Sequence, residues 1–329
     1  MINYLINRLI QSTIVLFIIS IMAFTLIHVA PGDPVDALYG PIAIQKMRTE
    51  DKERIRANMG LDKPIPIQYA KWAKGVLKGD WGNSYISGRP VSKSIMERLP
   101  ATMLLAGSAS LIILIISILL GIYTGLHRNS VGDHIATIIS LVLVSTPGFW
   151  LSLMLILIFS VFLKWLPSAG MTTIGSSFSL GDILKHLILP AVVLAFSHIG
   201  YYIRFIRASV WEQMKMDYVL ALKARGVKEK TIIYKHVLKN SLLPFVNYLG
   251  ATIPIMLSGA VVIEQVFAWP GLGQLSVNAA IQKDYSLLMG TILFTGFLVV
   301  IGNLCADIIS MLLDPRIAAG QLGKEVKTS

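Results

Sequence analysis

The chain alternates between long apolar segments, which contain few or no charged side chains, and polar connections. A helix needs about 20 apolar residues to cross the hydrocarbon core of a membrane, because its backbone polar groups must be hydrogen-bonded internally there. The third segment is interrupted at Pro147, where we expect a kink, and the shorter fourth segment contains Pro190. The segments are residues 9–29, 101–123, 135–163, 187–203, 242–263 and 287–309. They predict an all-α, polytopic membrane protein with six transmembrane helices.

Composition agrees with this pattern. Of the 329 residues, 54% are hydrophobic and 14% are charged, against roughly 25% charged in an ordinary soluble domain. A disulfide-stabilised scaffold is excluded, because Cys305 is the only cysteine. The formal charge of +11 would suggest a nucleic-acid partner in a soluble protein. In a membrane protein the basic residues set topology, so we expect contact with membrane lipid and no nucleic acid.

Basic residues are distributed unevenly between the two sides of the predicted membrane. With a cytoplasmic N-terminus, the inner segments contain 14 Lys and Arg, and the two short outer loops contain 3. The remaining 12 lie in the outer segment 30–100, which is long enough to be translocated largely regardless of its charge. The distribution predicts that both termini are cytoplasmic. The first apolar segment is longer than the core of a signal peptide, about 7–15 residues, so we expect it to remain as an anchor.

The long outer segment has the pattern of a small folded cap. A turn cluster at residues 31–34 is followed by a charged helical stretch at 44–59, which Gly60 ends. Residues 68–77 predict a second helix, with Trp72 on its apolar face. Two interpretations remain open: the cap contacts a soluble partner outside the membrane, or it only covers the ends of the helices.

Residues 204–241 form the most distinctive polar connection. Its first residues extend the fourth apolar segment as a basic helix, and residues 216–225 predict a short amphipathic helix that ends at Gly226. A second helix is expected at 228–239. Such an element beside a membrane can lie on anionic lipid or fit a groove on a cytoplasmic protein. The small residues beside the turn favour close approach by another protein.

Five polar residues within or beside the apolar segments are candidates for a transport pathway or gate. Polar groups are costly in hydrocarbon, so they are functional candidates by default. Asp307 follows Asn303 by four residues and therefore shares its helical face. The alternative is that such groups form hydrogen bonds between helices and stabilise the bundle. The candidates are His198, Asn247, Glu264, Asn303 and Asp307.

The sequence lacks the motifs of nucleotide binding and of common hydrolases. The nearest approach to a phosphate-binding loop has Glu325 where Ser or Thr is required. HExxH, GxSxG and clustered Cys/His motifs do not occur. We therefore expect no catalytic residue, no metal site and no cofactor, and the energy for transport must come from a partner ATPase or an ion gradient. The alternative function is an ion-coupled secondary transporter; an intramembrane enzyme would need a nucleophile–base pair, which the sequence lacks.

The connection at 204–244, with its run DYVLALKARGVKEK, resembles the cytoplasmic coupling loop of permease subunits in binding-protein-dependent ABC importers. Its form is similar to the first (B-type) permease of the dipeptide, oligopeptide and nickel branch. The usual Glu-Ala-Ala of this element falls at 220–222, where the chain has Leu-Ala-Leu. Further matching motifs are APGDP at 30–34, GDWGNS at 79–84, RLPAT at 98–102, EQVF at 264–267, PGLG at 270–273 and DPR at 314–316.

The resemblance implies the fold of a type I ABC importer permease with an extracytoplasmic insertion between helices 1 and 2. The implied regions are an N-terminal transmembrane helix (1–30), a cap (31–98), a permease transmembrane domain (99–312) and a cytoplasmic tail (313–329). The implied function is a non-enzymatic translocation subunit in a bacterial or archaeal cell membrane, which forms half of the pathway for small peptides or chelated nickel.

The resemblance also implies partners and coupling residues. The implied partners are a second, non-identical permease, two cytoplasmic ATP-binding subunits that hydrolyse ATP, and an extracytoplasmic solute-binding protein. The residues implied to couple the permease to an ATPase are Asp217, Tyr218, Ala221, Leu222, Ala224, Arg225 and Gly226.

Overall fold

The computed structural model describes residues 2–29, 35, 39, 43–175 and 177–313, and these are mainly helical. The predicted turn at 31–34 and the segment 314–329 lie outside the described residues. The helices are α1 Ile2–Val29, α2 Thr49–Met59, α3 Ile65–Leu77, α4 Val91–Leu126, α5 Val131–Ser145, α6 Gly148–Leu155, α7 Leu180–Met214, α8 Asp217–Ala224, α9 Glu229–Thr231, α10 Leu238–Val266, α11 Leu272–Ile281 and α12 Tyr285–Leu313. Two π-helical segments, Ile156–Phe162 and Ile232–Val237, follow α6 and α9.

Several of these helices are long and apolar enough to cross a membrane. In addition to the four unbroken spans given below, α5 and α6 with its π-helical continuation form a possible fifth span. It is bent by 105° at the break between Ser145 and Gly148. This count covers only the described residues, and the described side chains of α10 have gaps between residues 243 and 259. The structure confirms the all-α architecture, with helices at all six predicted segments and a break at Pro147. The four unbroken spans are Ile6–Thr25, Val91–Leu126, Leu180–Met214 and Tyr285–Ile308.

Two of the helices that start earlier than predicted pass through a proline. The helix α4 begins at Val91, well before the predicted start at residue 101, and passes through Pro100. The helix α10 begins at Leu238, before the predicted start of the fifth segment at residue 242, and passes through Pro244. Proline removes one backbone donor and favours the start of a helix, so it suggests a boundary. Here the helices continue through it.

The chain separates into two compact units. Unit 1 comprises Met1–Tyr4, Met103–Trp269 and Ile301–Ser329, and unit 2 comprises Leu5–Thr102 and Pro270–Val300. The region boundaries that were predicted from the sequence stay a prediction.

Within unit 1, α7 packs closely against α4 and α5 because glycines lie at the contacts. A Cβ atom at Gly121 would lie 2.6 Å from Cβ of Ile206, and one at Gly125 would lie 2.7 Å from Cβ of Val210. Gly200 of α7 lies in the same way against the backbone of α5. Such small residues let helix backbones approach closely, which is how helices associate where lipid surrounds them.

An ion pair in unit 1 joins the start of α5 to α7. Asp133 Oδ1 lies 2.5 Å from Arg207 Nε, and its Oδ2 lies 2.8 Å from Nη2. The Asp133 side chain is 2% exposed. Asp133 also accepts a hydrogen bond from the Asn129 N–H, and its own N–H donates to Ser130 Oγ, the helix N-cap. The turn between α4 and α5 is therefore fixed to α7.

Within unit 2, α1 and α3 meet at aromatic side chains. The rings of Phe24 and Tyr69 are 5.4 Å apart between centroids, and those of Tyr69 and Trp72 are 6.0 Å apart. The hydroxyls of Tyr69 and Ser20 form a hydrogen bond of 2.9 Å. The predicted apolar face of the second cap helix, with Trp72, is confirmed.

Unit 2 also contains a buried carboxylate that connects distant parts of the chain. Asp284, 2% exposed, accepts hydrogen bonds from the Ser84 hydroxyl and from the Tyr85 N–H, the latter at 3.1 Å. It also accepts from the Leu287 N–H at 3.2 Å, which caps the start of α12. One side chain thus ties the loop after α3 to a membrane helix.

Candidate functional site

The turn after α8 depends on a glycine in the left-handed conformation. Gly226 has φ +75°, and its N–H donates to the Lys223 carbonyl at 2.9 Å. The Val227 N–H donates to the Leu222 carbonyl at 3.1 Å. These two bonds form a Schellman motif, which satisfies the last carbonyls of a helix. The predicted end of the helix at Gly226 is confirmed.

One side of α8 is anchored and the other is exposed. Val219 is 2% exposed, and the Tyr218 hydroxyl donates to Gln213 Oε1 at the end of α7, at 2.9 Å. Leu220, by contrast, is 71% exposed, although it is apolar. Sequence reasoning did not select Leu220, because its exposure depends on how α8 packs. Of the predicted coupling residues, Tyr218 and Leu222 are half-buried, and the exposed ones are Asp217, Ala221, Ala224, Arg225 and Gly226.

The segment after the turn supports α8 from one side. Ile232 and Val237 are completely buried, whereas Tyr234 is 71% exposed, and α8 packs against this π-helical segment. These two positions form the inward, apolar side of the segment that was expected as a helix at 228–239. Their separation of five residues follows from the π-helix, whose hydrogen bonds join residues i and i+5. Such segments are frequent at functional sites.

The candidate pathway residues lie on three helices. His198 of α7 and Asp307 of α12 are half-buried, and Asn303 of α12 is exposed. Glu264, near the end of α10, is completely buried in this chain. The side chain of Asn247, also in α10, lies outside the described residues. A pathway or gate role for these five residues stays a prediction.

Unit 2 contains a pocket that the sequence did not predict. Its volume is about 270 Å³, and it opens between α3 and the loop that follows. Its lining combines the aromatic rings of Trp72, Trp81 and Tyr85 with the side chains of Lys71 and Asp80. Within the described ranges, no group of three His, Cys, Asp or Glu residues is placed to hold a metal ion.

Long apolar helices joined by an exposed helix–glycine turn are the architecture of a multi-pass membrane protein. The family model described as "Binding-protein-dependent transport system inner membrane component" matches residues 117–319. The N-terminal model of the same transport systems matches residues 1–106. The chain therefore belongs to the inner-membrane permease family of binding-protein-dependent ABC importers, which confirms the resemblance seen in its motifs.

Curated relatives match nearly the whole chain. It is 39% identical to the oligopeptide transport system permease protein AppB of Bacillus subtilis, over 95% of this chain and 98% of that protein. A putative peptide permease of Brucella ovis is 38% identical, over 96% and 99% of the two chains. The glutathione transport system permease protein GsiC of Escherichia coli is 33% identical, again over 96% and 99%.

A solved structure shows the same fold. The inward-facing MetNI methionine ABC transporter aligns with a TM-score of 0.54 and 16% identity, over 67% of this chain and 95% of the matched chain. The predicted fold, that of an ABC importer permease, is confirmed.

Proposed function

We propose that this permease forms half of the pathway of an ATP-driven importer of small peptides, and that α8 with the Gly226 turn couples it to a partner ATPase. The observation that carries the proposal is the exposed turn on a firmly anchored helix. A Cβ atom built at Gly226 has no heavy atom within 4 Å, so the turn faces open space in this chain. A rigid, open turn of this kind suits insertion into a groove on another protein.

The contacts of α8 provide a route for movement into the membrane. The buried Val219 and the hydrogen bond from Tyr218 to Gln213 connect α8 to α7. Because α7 is one continuous helix, Leu180–Met214, displacement of α8 is passed on to a membrane-crossing segment. Movement of the ATPase thus changes the arrangement of helices along the pathway.

Small peptides are the proposed cargo. The three relatives described above are named for oligopeptide, peptide and glutathione transport, and all three match over almost their entire length. Chelated nickel, which the motifs of the branch also allow, is not supported by these names.

We further propose the rest of the assembly and the orientation. The chain would pair with a second, non-identical permease, with two cytoplasmic ATPases that hydrolyse ATP and with an extracytoplasmic solute-binding protein. The segments expected on the inner side contain 14 basic residues and the two short outer loops contain 3, which supports cytoplasmic termini. This orientation puts α8 on the side where ATP is available.

Replacing Gly226 with asparagine tests the coupling. Asparagine tolerates the left-handed conformation better than other side chains, so Gly226→Asn adds a side chain to the turn with little backbone strain. We expect uptake of a labelled peptide by cells carrying the whole transporter to fall at least tenfold, while the amount of permease in the membrane is unchanged. Co-purification of the ATPases should weaken in parallel.

A matched control uses a glycine in the same conformation outside the predicted contact. Gly175 has φ +82° and, like Gly226, no heavy atom within 4 Å of a built Cβ. Gly175→Asn should leave uptake normal. Normal uptake by the Gly226 variant would contradict the coupling, and proton-driven uptake by the purified chain without ATPases would instead identify an ion-coupled transporter.

A further inference from the structure

Two cationic side chains lie over a single indole ring at the end of α7. The guanidinium carbon of Arg128 is 4.5 Å from the centre of the Trp211 ring, and Lys215 Nζ is 4.7 Å from it. Attraction to the ring face favours each contact. Both charges therefore lie close to one ring, which makes this part of the surface positive. An anion beside the ring is attracted by both charges.

Neither cation is neutralised by a carboxylate within the part of the chain that the structure describes. Arg207, one helical turn before Trp211, is paired with Asp133. The other ion pairs described join residues elsewhere, and the exposed Glu212 forms none with Arg128 or Lys215. The charges of Arg128 and Lys215 are therefore available to a ligand.

The backbone that carries Arg128 is held next to Trp211 by buried contacts. Arg128 lies in the turn between α4 and α5, which the Asp133–Arg207 ion pair fixes to α7. On the same side, Gly125 lets α4 approach Val210 closely. The packing of the helices, rather than one flexible side chain, therefore brings the two charges close to the same ring.

Position along the helix indicates the ligand. Arg207, Trp211 and Lys215 follow one another at four-residue spacing at the end of the candidate span Leu180–Met214. Tryptophan and basic side chains concentrate at the level of the lipid headgroups. Basic pockets between membrane helices bind anionic headgroups. We propose that Arg128, Trp211 and Lys215 form a binding site for the phosphate of an anionic phospholipid.

Each residue has a distinct part in this site. The planar guanidinium of Arg128 presents a fork of donors that matches two phosphate oxygens, whereas Lys215 supplies a compact charge. The half-buried Trp211 ring contacts both cations and so keeps them in one neighbourhood.

Lipid retention by the purified transporter tests the site. The full complex is washed in detergent containing phosphatidylcholine and phosphatidylglycerol at equal concentration, and the retained lipids are quantified by mass spectrometry. We expect the double variant Arg128→Gln, Lys215→Gln to retain phosphatidylglycerol at least tenfold less tightly, with phosphatidylcholine unchanged. The double variant Lys230→Gln, Lys235→Gln removes the same charge from exposed positions on the neighbouring helical segment and should retain wild-type lipid.

A single-residue variant and a competition with inorganic phosphate complete the test. If the first double variant fails to assemble, Lys215→Gln alone changes an exposed residue and should still weaken retention about threefold. Inorganic phosphate, added at the concentration of the lipid, should not displace phosphatidylglycerol; if it does, the ligand is free phosphate and the lipid site is wrong. Unchanged retention in the Arg128 and Lys215 variants, or an equal loss in the control, overturns the proposal.

Discussion

The carboxylate of Asp133 and the guanidinium of Arg207, 74 residues apart in the sequence, form a two-point ion pair between α5 and α7, with N–O distances of 2.5 and 2.8 Å. The aspartate is almost completely buried, and the arginine is partly exposed. The pair holds together the turn that carries Arg128 and the helix that carries Trp211, so it underlies both the packing of unit 1 and the proposed lipid site.

Removal of the arginine should destabilise the protein. Arg207→Gln leaves the Asp133 carboxylate buried without its partner, which costs about 2–3 kcal/mol of unfolding free energy. The melting temperature of the detergent-solubilised chain should fall by several degrees. The control is Arg89→Gln, which breaks the half-exposed pair with Glu97 and should cost less than about 1 kcal/mol. Equal losses in the two variants would show that the buried pair has no special importance.

Substitution by alanine should have different effects on stability at two glycines of α4. Gly125→Ala places a Cβ atom 2.7 Å from the Val210 Cβ, and the resulting overpacking should cost about 1–3 kcal/mol. Gly107→Ala meets no heavy atom within 4 Å and should be neutral or stabilising by up to about 1 kcal/mol, because alanine favours the helix. Thermal unfolding of both variants provides the comparison. A stable Gly125 variant would mean that α4 and α7 are not closely packed.

Loss of the buried carboxylate in unit 2 should release the loop after α3. Asp284→Ala removes the acceptor of the Ser84 hydroxyl and of the Tyr85 N–H, and each unsatisfied buried group costs about 1–3 kcal/mol. Hydrogen exchange of the Tyr85 amide should accelerate about tenfold or more. Asp80→Ala, which removes an exposed acceptor of the Gly82 N–H, serves as the control and should leave this exchange rate nearly unchanged.

The stability of unit 2 should decrease at alkaline pH because of Tyr85. Burial, and to a lesser degree the negative charge of Asp284, raise the pKa of the Tyr85 phenol above its ordinary value of 10.0. Because the folded pKa is the higher one, this stability is fully present below the unfolded value and is lost as the pH rises through the folded value. Tyr85→Phe should remove this part of the pH dependence, measured as melting temperature against pH. An unchanged alkaline slope in the variant would contradict the assignment.

Local patterns in the sequence predicted the elements of the fold correctly. Apolar segments without charge identified the membrane helices, since hydrocarbon leaves few alternatives to a helix. Gly226 identified the end of α8, because the left-handed turn that closes a helix favours glycine. Both signals are local, and neither needs knowledge of the packed chain.

Features that depend on packing were not predictable in the same way. The role of Asp284 requires the Ser84 loop, which is 200 residues away in the sequence. The approach of Arg128 to Trp211 likewise depends on the contact between α4 and α7. The π-helical segment at Ile232–Val237 shares its composition with an ordinary amphipathic helix, so the sequence predicted a helix at 228–239 but not its π-helical part.

The length of α7 has a mechanical consequence. Its 35 residues, at about 1.5 Å each, give a rod of roughly 52 Å, whereas the hydrocarbon core is about 30 Å thick. A large part of the rod therefore stands in the headgroup region and in water. A tilt of only about 10° would carry its far tip through roughly 9 Å, close to the diameter of a helix. A tilt of α7 that is too small to disturb helix packing within the bilayer thus moves its tip far enough for a neighbouring protein to drive or to sense.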